Sequence, residues 1–135
     1  MQIMEKSLNK KNIALLVTGG RDYTNAQKIY DTLRVHLDDN VILINGDCRG
    51  ADNLSSRTAI HFGFKVKTHP ADWGKYGKSA GPRRNQQMVD DLVEYENSGY
   101  ETLVYAFHED IEKSKGTKGC VQYARGKSLK VILVT

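Results

Sequence analysis

Ile13-Ala-Leu-Leu-Val-Thr18 is a continuous apolar run, and Gly19-Gly20-Arg21 follows it at once. The run has no period of two, so neither face of it is polar. That is the pattern of a strand covered on both sides, as in a parallel sheet. The glycine pair ends it, and a helical pattern follows from about Thr24, with Ile29, Leu33 and Leu37 at helical spacing. The same order repeats along the chain. Val41–Ile44 reads as a second strand, Asn45–Gly50 as a turn, and Ala51–His61 as a helix ended by Gly63. Phe64–Thr68 reads as a shorter third strand and His69–Gly81 as a polar loop. The helix after it takes Pro82 in its first turn and runs to about Glu96. Thr102–Phe107 is a fourth strand, His108–Lys115 a polar loop, and Gly116-Thr117 opens a last helix that ends near Gly126. Leu129–Thr135 is a fifth strand. Strict alternation of strand and helix implies parallel strands joined by right-handed crossovers. The expected fold is a doubly wound α/β sandwich on a parallel sheet of about five strands. Ligands of such sheets bind beyond the carboxyl ends of the strands, so the loops there are the place to look for function.

The chain has 135 residues, 39% of them apolar. A chain of that length forms one domain and buries roughly 68% of its unfolded surface, so it needs no disulfide or metal staple. We expect a polar, basic arm over residues 1–11 and a single domain over 12–135. No stretch is long and apolar enough to cross a bilayer, and Met1 to Lys11 has no signal-peptide hydrophobic region, which leads us to expect a cytoplasmic protein without a membrane partner. Cys48 and Cys120 have no paired zinc-type spacing, and His36, His61, His69 and His108 form neither HxxxH nor HExxH, so reduced thiols and no metal are expected. Net charge is +4, but it is unevenly spread. Lys65 to Arg84 carries six Lys/Arg and one acid, Asp90 to Glu112 eight acids and no Lys/Arg, and Lys113 to the end six Lys/Arg and no acid. Such segregation fits an anionic partner, and equally a solvated lysine surface.

Four strand-end loops carry the unusual residues. In the first, Gly19 and Gly20 allow close backbone approach, and Arg21 offers a bidentate donor to phosphate or carboxylate. In the second, Asn45-Gly46-Asp47-Cys48-Arg49-Gly50-Ala51-Asp52, Asp52 falls in the first turn of a helix. There it can either complement the helix dipole or hydrogen-bond a ribose. Cys48 would need a base beside it to be a nucleophile, and none is evident. The third, Ala71 to Asn85, holds the sole tryptophan, flexible glycines, and Arg83 and Arg84 where a helix begins. Trp73 can stack on an adenine, though a hydrophobic plug pinning the loop to the core is the expectation we favour. The fourth, Ser114 to Gly119, places Gly116 and Thr117 at a helix start, where they can receive a phosphate or simply cap the helix. The chain has neither G-x-G-x-x-G nor G-x-x-x-x-G-K-[ST], which removes the dinucleotide fingerprint and the P-loop, and with the latter kinase and GTPase chemistry.

TGGRDY, NGDCRGAD, ADWGKYGKSAGPRRN and AF…KGT occur in this order at these strand ends. Together they resemble the YspA-like branch of the SLOG superfamily, relatives of the Lonely Guy proteins, the DprA core and the molybdenum-cofactor carrier protein. The resemblance covers roughly residues 12–135. It implies a Rossmann-like three-layer fold that binds nucleotides or nucleotide-derived small molecules, with no further cofactor, and a homo-oligomer. It places Gly19, Gly20 and Arg21 in a first ligand loop and Gly46, Gly50 and Asp52 in a second, where Arg49 is a further candidate. It places Trp73, Gly81, Arg83, Arg84 and Asn85 in a third, and Gly116 and Thr117 in a phosphate loop. Two features depart from it. The fourth loop is long and lacks a leading glycine pair. The acid that serves N-glycosidic cleavage in Lonely Guy proteins falls here on Gly119. Loss of that carboxylate removes a stabiliser of oxocarbenium charge and a general acid–base group. Glu109, Asp110 or Glu112 are the candidates to replace it.

Three functions follow in order. The first is a non-catalytic module that binds an ADP-ribose-like or other nucleotide-derived molecule, as a sensor or as a viral sponge would. The second is a phosphoribohydrolase acting on nucleoside monophosphates. The third is nucleic-acid binding, ranked last because no aromatic-rich basic strand face is present.

Overall fold

Ile13, Leu15 and Val17 of the first strand face one helical layer, and Ala14 and Leu16 face the other. In the computed structural model, which describes residues 10–135, that strand (β1, Asn12–Gly19) is the middle of a five-stranded sheet ordered β3-β2-β1-β4-β5. The other strands are β2 (Asn40–Asn45), β3 (Lys65–Thr68), β4 (Glu101–Phe107) and β5 (Val131–Val134), and every pairing is parallel. Leu16 lies opposite Ile44 on one side and Val104 on the other. With both faces packed, each position from Ile13 to Val17 is apolar, which is why the run lacks alternation. Of the arm expected over residues 1–11, residues 1–9 lie outside the described part.

The helices divide evenly over the sheet. α1 (Ala26–Arg34) and α2 (Ala51–His61) cover one face through Ile29, Leu33, Ala51 and Ala59. After a short α3 (Trp73–Tyr76), α4 (Ala80–Asn97) and α5 (Gly116–Gly126) cover the other through Met88, Val89, Leu92, Cys120 and Ala124. This is a Rossmann-like α/β fold in three layers. Burying each large aliphatic side chain contributes about 1.5–3 kcal/mol, and truncating one such as Leu15 would cost about 2–5 kcal/mol.

Local chemistry sets the helix ends. Asn25 Oδ1 accepts from the Lys28 N–H at 3.0 Å and starts α1. α1 ends at Arg34, earlier than the spacing of Leu37 suggests. Leu37 lies in the turn that returns the chain to β2 and is 46% exposed. The stretch His69–Gly81, expected as irregular, is largely helical. Asp72 Oδ1 accepts from the Lys75 N–H at 3.0 Å to cap α3, and a 3₁₀ turn over Gly77–Ser79 leads into α4. Glycines at 74, 77 and 81 hide that helicity, since glycine is the poorest ordinary helix former. Pro82 sits in the first turn of α4, as expected. The long loop after β4 likewise holds a 3₁₀ turn, Ile111–Lys113.

β1 leads outward to β2 and β3 on one side, and the chain then returns to lay β4 and β5 on the other. The loops after β1 and β4 therefore diverge, and a crevice opens between them at the switch in strand order.

Candidate functional site

The floor of that crevice is built by glycines. Gly20 N–H donates to the Phe107 carbonyl at 2.9 Å, and Ala51 N–H donates to the Gly20 carbonyl at 3.1 Å. A Cβ on Gly19 would overlap the Phe107 carbonyl and lie 2.6 Å from Ala51 Cβ. Gly50 holds φ at 79°, and a Cβ there would overlap the carbonyls of Gly20 and Arg21. These residues thus bring the ends of β1 and β4 against the start of α2, closer than side chains allow.

Asp52 shapes the second loop. Its Oδ2 accepts from the N–H groups of Gly46 at 3.1 Å and Cys48 at 3.2 Å, folding the loop back onto the first turn of α2. The carboxyl is 7% exposed. Burial pushes it up to about 6, against the pull of the two backbone donors and the Arg84 guanidinium. The helix dipole alone does not describe it: the side chain is a clamp on the loop, and its carboxyl also lines the crevice.

Arg84 enters from α4. It is 7% exposed. Nη1 donates to the Gly46 carbonyl at 2.7 Å, and Nε donates to Asn85 Oδ1 at 2.8 Å. Among the described residues it makes no ion pair with a carboxylate. Arg83, one residue earlier, points outward. Its Nε donates to Ser79 Oγ at 3.1 Å, and its guanidinium lies 4.6 Å from the centre of the Tyr76 ring.

Trp73 corrects an expectation. It is 48% exposed and pins nothing to the core. Its ring edge rests against Gly81, where a Cβ would come within 3.2 Å, and the Arg21 guanidinium lies 5.9 Å from the ring centre. The residue is a rim, placed by a glycine in the first turn of α4. Arg49 is also on the surface, paired with Asp22 at 3.3 Å.

The β4–α5 loop closes the crevice. Ser114, rather than Thr117, caps α5, its Oγ accepting from the Thr117 N–H at 3.0 Å. Thr117 is buried at the helix start. Asn85 Nδ2 reaches the Gly116 carbonyl at 3.4 Å and ties α4 to this loop. His108 Nδ1 accepts from the Asp110 N–H at 2.9 Å, which leaves Nε2 to carry the proton of the neutral ring.

The resulting cavity has a volume of about 310 Å³. Gly19, Gly20, Arg21, Asp52, Arg84, Asn85, Gly116 and Thr117 line it together with Thr18, Cys48, Met88, His108 and Ser114. Gly46, Gly50 and Gly81 stand behind the wall as spacers, while Arg49, Trp73 and Arg83 lie outside the cavity. His108 escaped the sequence reading because a lone histidine in a polar loop has no spacing signal. Of the carboxylates expected to replace the missing acid, Asp110 pairs with Lys113 at 3.7 Å and Glu112 with Lys118 at 2.8 Å. Neither these two nor Glu109 lines the cavity. Both cysteines are free, and among the described residues no group of three or more His, Cys, Asp or Glu could hold a metal. Among those residues no helix is long and apolar enough to cross a membrane.

Comparison with known proteins agrees with this geometry. Gene 61 protein of Mycobacterium phage D29 is 31% identical over 126 residues, spanning 87% of this chain and 93% of that protein. The fold is similar to the C-terminal domain (residues 78–226) of PF1911 hydrogenase from Pyrococcus furiosus, with a TM-score of 0.51 at 11% identity over 94% of each chain. DNA processing protein A from Streptococcus pneumoniae matches with a TM-score of 0.47 at 14% identity, over 94% of this chain and 60% of that one. The model of one family matches residues 13–76, which run from β1 to the end of α3 and include the first two loops of the crevice. The chain belongs to the YspA, cpYpsA-related SLOG family.

Proposed function

We propose that the protein binds a nucleotide-derived small molecule in this cavity and holds it without turning it over, as a sensor or a sequestering protein. One observation carries the reading. Arg84 is a buried cation on the cavity wall that makes no direct ion pair among the described residues, Asp52 acting on it only through space, and it faces the N-terminus of α5. A buried charge without a directly paired counter-ion is costly, and an anionic ligand group would supply one. Helix N-termini favour the same sign of ligand charge. Arg21 at the mouth adds a second guanidinium for phosphate. The family and the position at the switch of the sheet support a nucleotide-like ligand, with an ADP-ribose type of molecule as our choice.

A second reading is favoured by Asp52. A carboxyl held at about 6 on the cavity wall could donate a proton near neutral pH, as a phosphoribohydrolase requires. One experiment separates the two. Thermal shift with AMP, GMP, ADP-ribose, cyclic ADP-ribose isomers and NAD should show one compound raising the Tm by roughly 10 °C at 100 times its dissociation constant. Recovered unchanged, that compound establishes a binder. Release of free base and ribose 5-phosphate establishes the enzyme. Wild-type shifts in Arg84→Lys, which keeps the charge but loses the planar fork, would remove Arg84 from the site.

A further inference from the structure

A second cavity, about 320 Å³, adjoins the first, and Arg21 lines both. Its walls are Tyr23 and Thr24 from the β1–α1 loop, and Gly50, Asn53, Leu54 and Arg57 from the start of α2. Arg49 completes it, so three arginines line one concave surface and no carboxylate does. The nearest charge partner is Asp22, 3.3 Å from Arg49, and that pair is largely exposed. An exposed pair of this kind contributes about 0–1 kcal/mol and does little to offset three like charges. Arg21 is held between the two cavities by the face of Trp73. Three N–H groups at the start of α2 are already used: Ala51 donates to Gly20, Asn53 to Cys48 and Leu54 to Gly50. Recognition in this groove therefore belongs to side chains, and arginine side chains read phosphate through two parallel N–H donors.

We infer that the ligand carries two phosphate groups about one nucleoside apart, the first facing Arg84 beside α5 and the second taken by Arg21, Arg49 and Arg57. This rests on the nucleotide reading of the main cavity, and it replaces the ADP-ribose type, whose two phosphates are joined directly, with a dinucleotide. Each cavity matches the small end of ligand pockets, about 300 Å³, so together they suit two linked nucleotide units better than one. A monophosphate leaves the groove empty and its three cations facing one another.

The test is calorimetric titration at fixed salt with AMP, 5′-phosphorylated diadenylate and a twelve-residue oligo(dA). The proteins are wild type, Arg57→Gln, and Arg49→Gln with Arg57→Gln. Both positions are exposed, and an unchanged Tm in each variant verifies the fold. We expect the diadenylate to bind wild type about ten-fold more tightly than AMP, the gain of one or two charge-assisted contacts. The double variant should erase that margin and leave AMP affinity unchanged. Equal affinity for AMP and the diadenylate, or a double variant that weakens both alike, overturns the inference while nucleotide binding in the main cavity stands. Strong binding of oligo(dA) with no margin for the diadenylate makes the groove a nucleic-acid track and overturns it as well. Failure of every probe to bind removes the nucleotide reading and this inference with it.

Discussion

The guanidinium of Arg84 and the backbone of Gly46 are in direct contact. Nη1 donates to the Gly46 carbonyl at 2.7 Å, and a Cβ on residue 46 would overlap the same nitrogen. The absence of a side chain at 46 is thus what lets α4 deliver a cation to the end of β2. Gly46→Ala should push the guanidinium aside, because the far end of a long side chain moves more readily than backbone does. The lost buried hydrogen bond should cost about 1–2 kcal/mol, and affinity for the nucleotide found by thermal shift should fall about ten-fold or more. Urea unfolding and calorimetry measure the two effects. Wild-type affinity in a folded Gly46→Ala protein would detach Arg84 from ligand binding.

Gly50 and Gly63 share a left-handed backbone, φ 79° and φ 78°, but not a neighbourhood. A Cβ on Gly50 meets the backbone carbonyls of Gly20 and Arg21, whereas one on Gly63 meets nothing within 4 Å. Gly63→Ala should cost only the conformational term, about 1–2 kcal/mol. Gly50→Ala must also separate the loops after β1 and β2, and should cost more than about 3 kcal/mol or prevent folding. Equal unfolding midpoints for the two variants would contradict the close approach of those loops.

Asp52 makes stability depend on pH in an unusual direction. Its carboxyl is held at about 6 in the fold against an ordinary 3.8, with burial the main cause. Between those values the folded state keeps a proton that the unfolded chain has released. Its contribution is complete below about pH 3, declines most steeply between about pH 4 and 6, and is level above about pH 7, a change of about 3 kcal/mol in all. Asp52→Asn keeps an oxygen to accept from the Gly46 and Cys48 N–H groups and removes the titration. The stability of wild type relative to this variant should therefore fall by about 2 kcal/mol from pH 4 to pH 6 in urea titrations. A constant difference across that range would place the carboxyl in the ordinary range.

Trp73, the sole tryptophan, reports on the rim. With the ring half exposed, its emission should be that of a water-exposed indole and be quenched readily by iodide. Trp73→Ala should change stability by less than about 1 kcal/mol, as befits a surface position. Blue-shifted, quencher-resistant emission would restore the hydrophobic plug.

Much of this fold is legible in β1 and its repeats. An apolar run without alternation means a strand buried on both faces, and strands alternating with helices mean a parallel sheet. These are local consequences of period and composition, so Ala51–His61 and Gly116–Gly126 begin and end where the residues indicate. Leu37 and the segment around Trp73 show the limit. Whether an apolar residue is buried depends on what lies opposite it, and whether glycines break a helix depends on the packing that holds it.

The candidate site divides in the same way. Residue type and position at the strand ends are properties of the sequence, and they single out Gly19, Gly20, Arg21, Asp52, Arg84, Gly116 and Thr117. Which of them meet is decided only in three dimensions. Arg83 and Arg84 are neighbours in the chain, but one step of a helix turns a side chain by about 100°, so one reaches solvent and the other the cavity. His108 joins the site because the end of β4 packs against Gly20, and Asp52 becomes a clamp because its loop folds back over α2. The sequence by itself determined the sheet, its two helical layers and the edge at which the glycine- and arginine-bearing loops gather. Tertiary structure decided which charges are buried there, because burial and the spacing of charges arise only when distant segments pack.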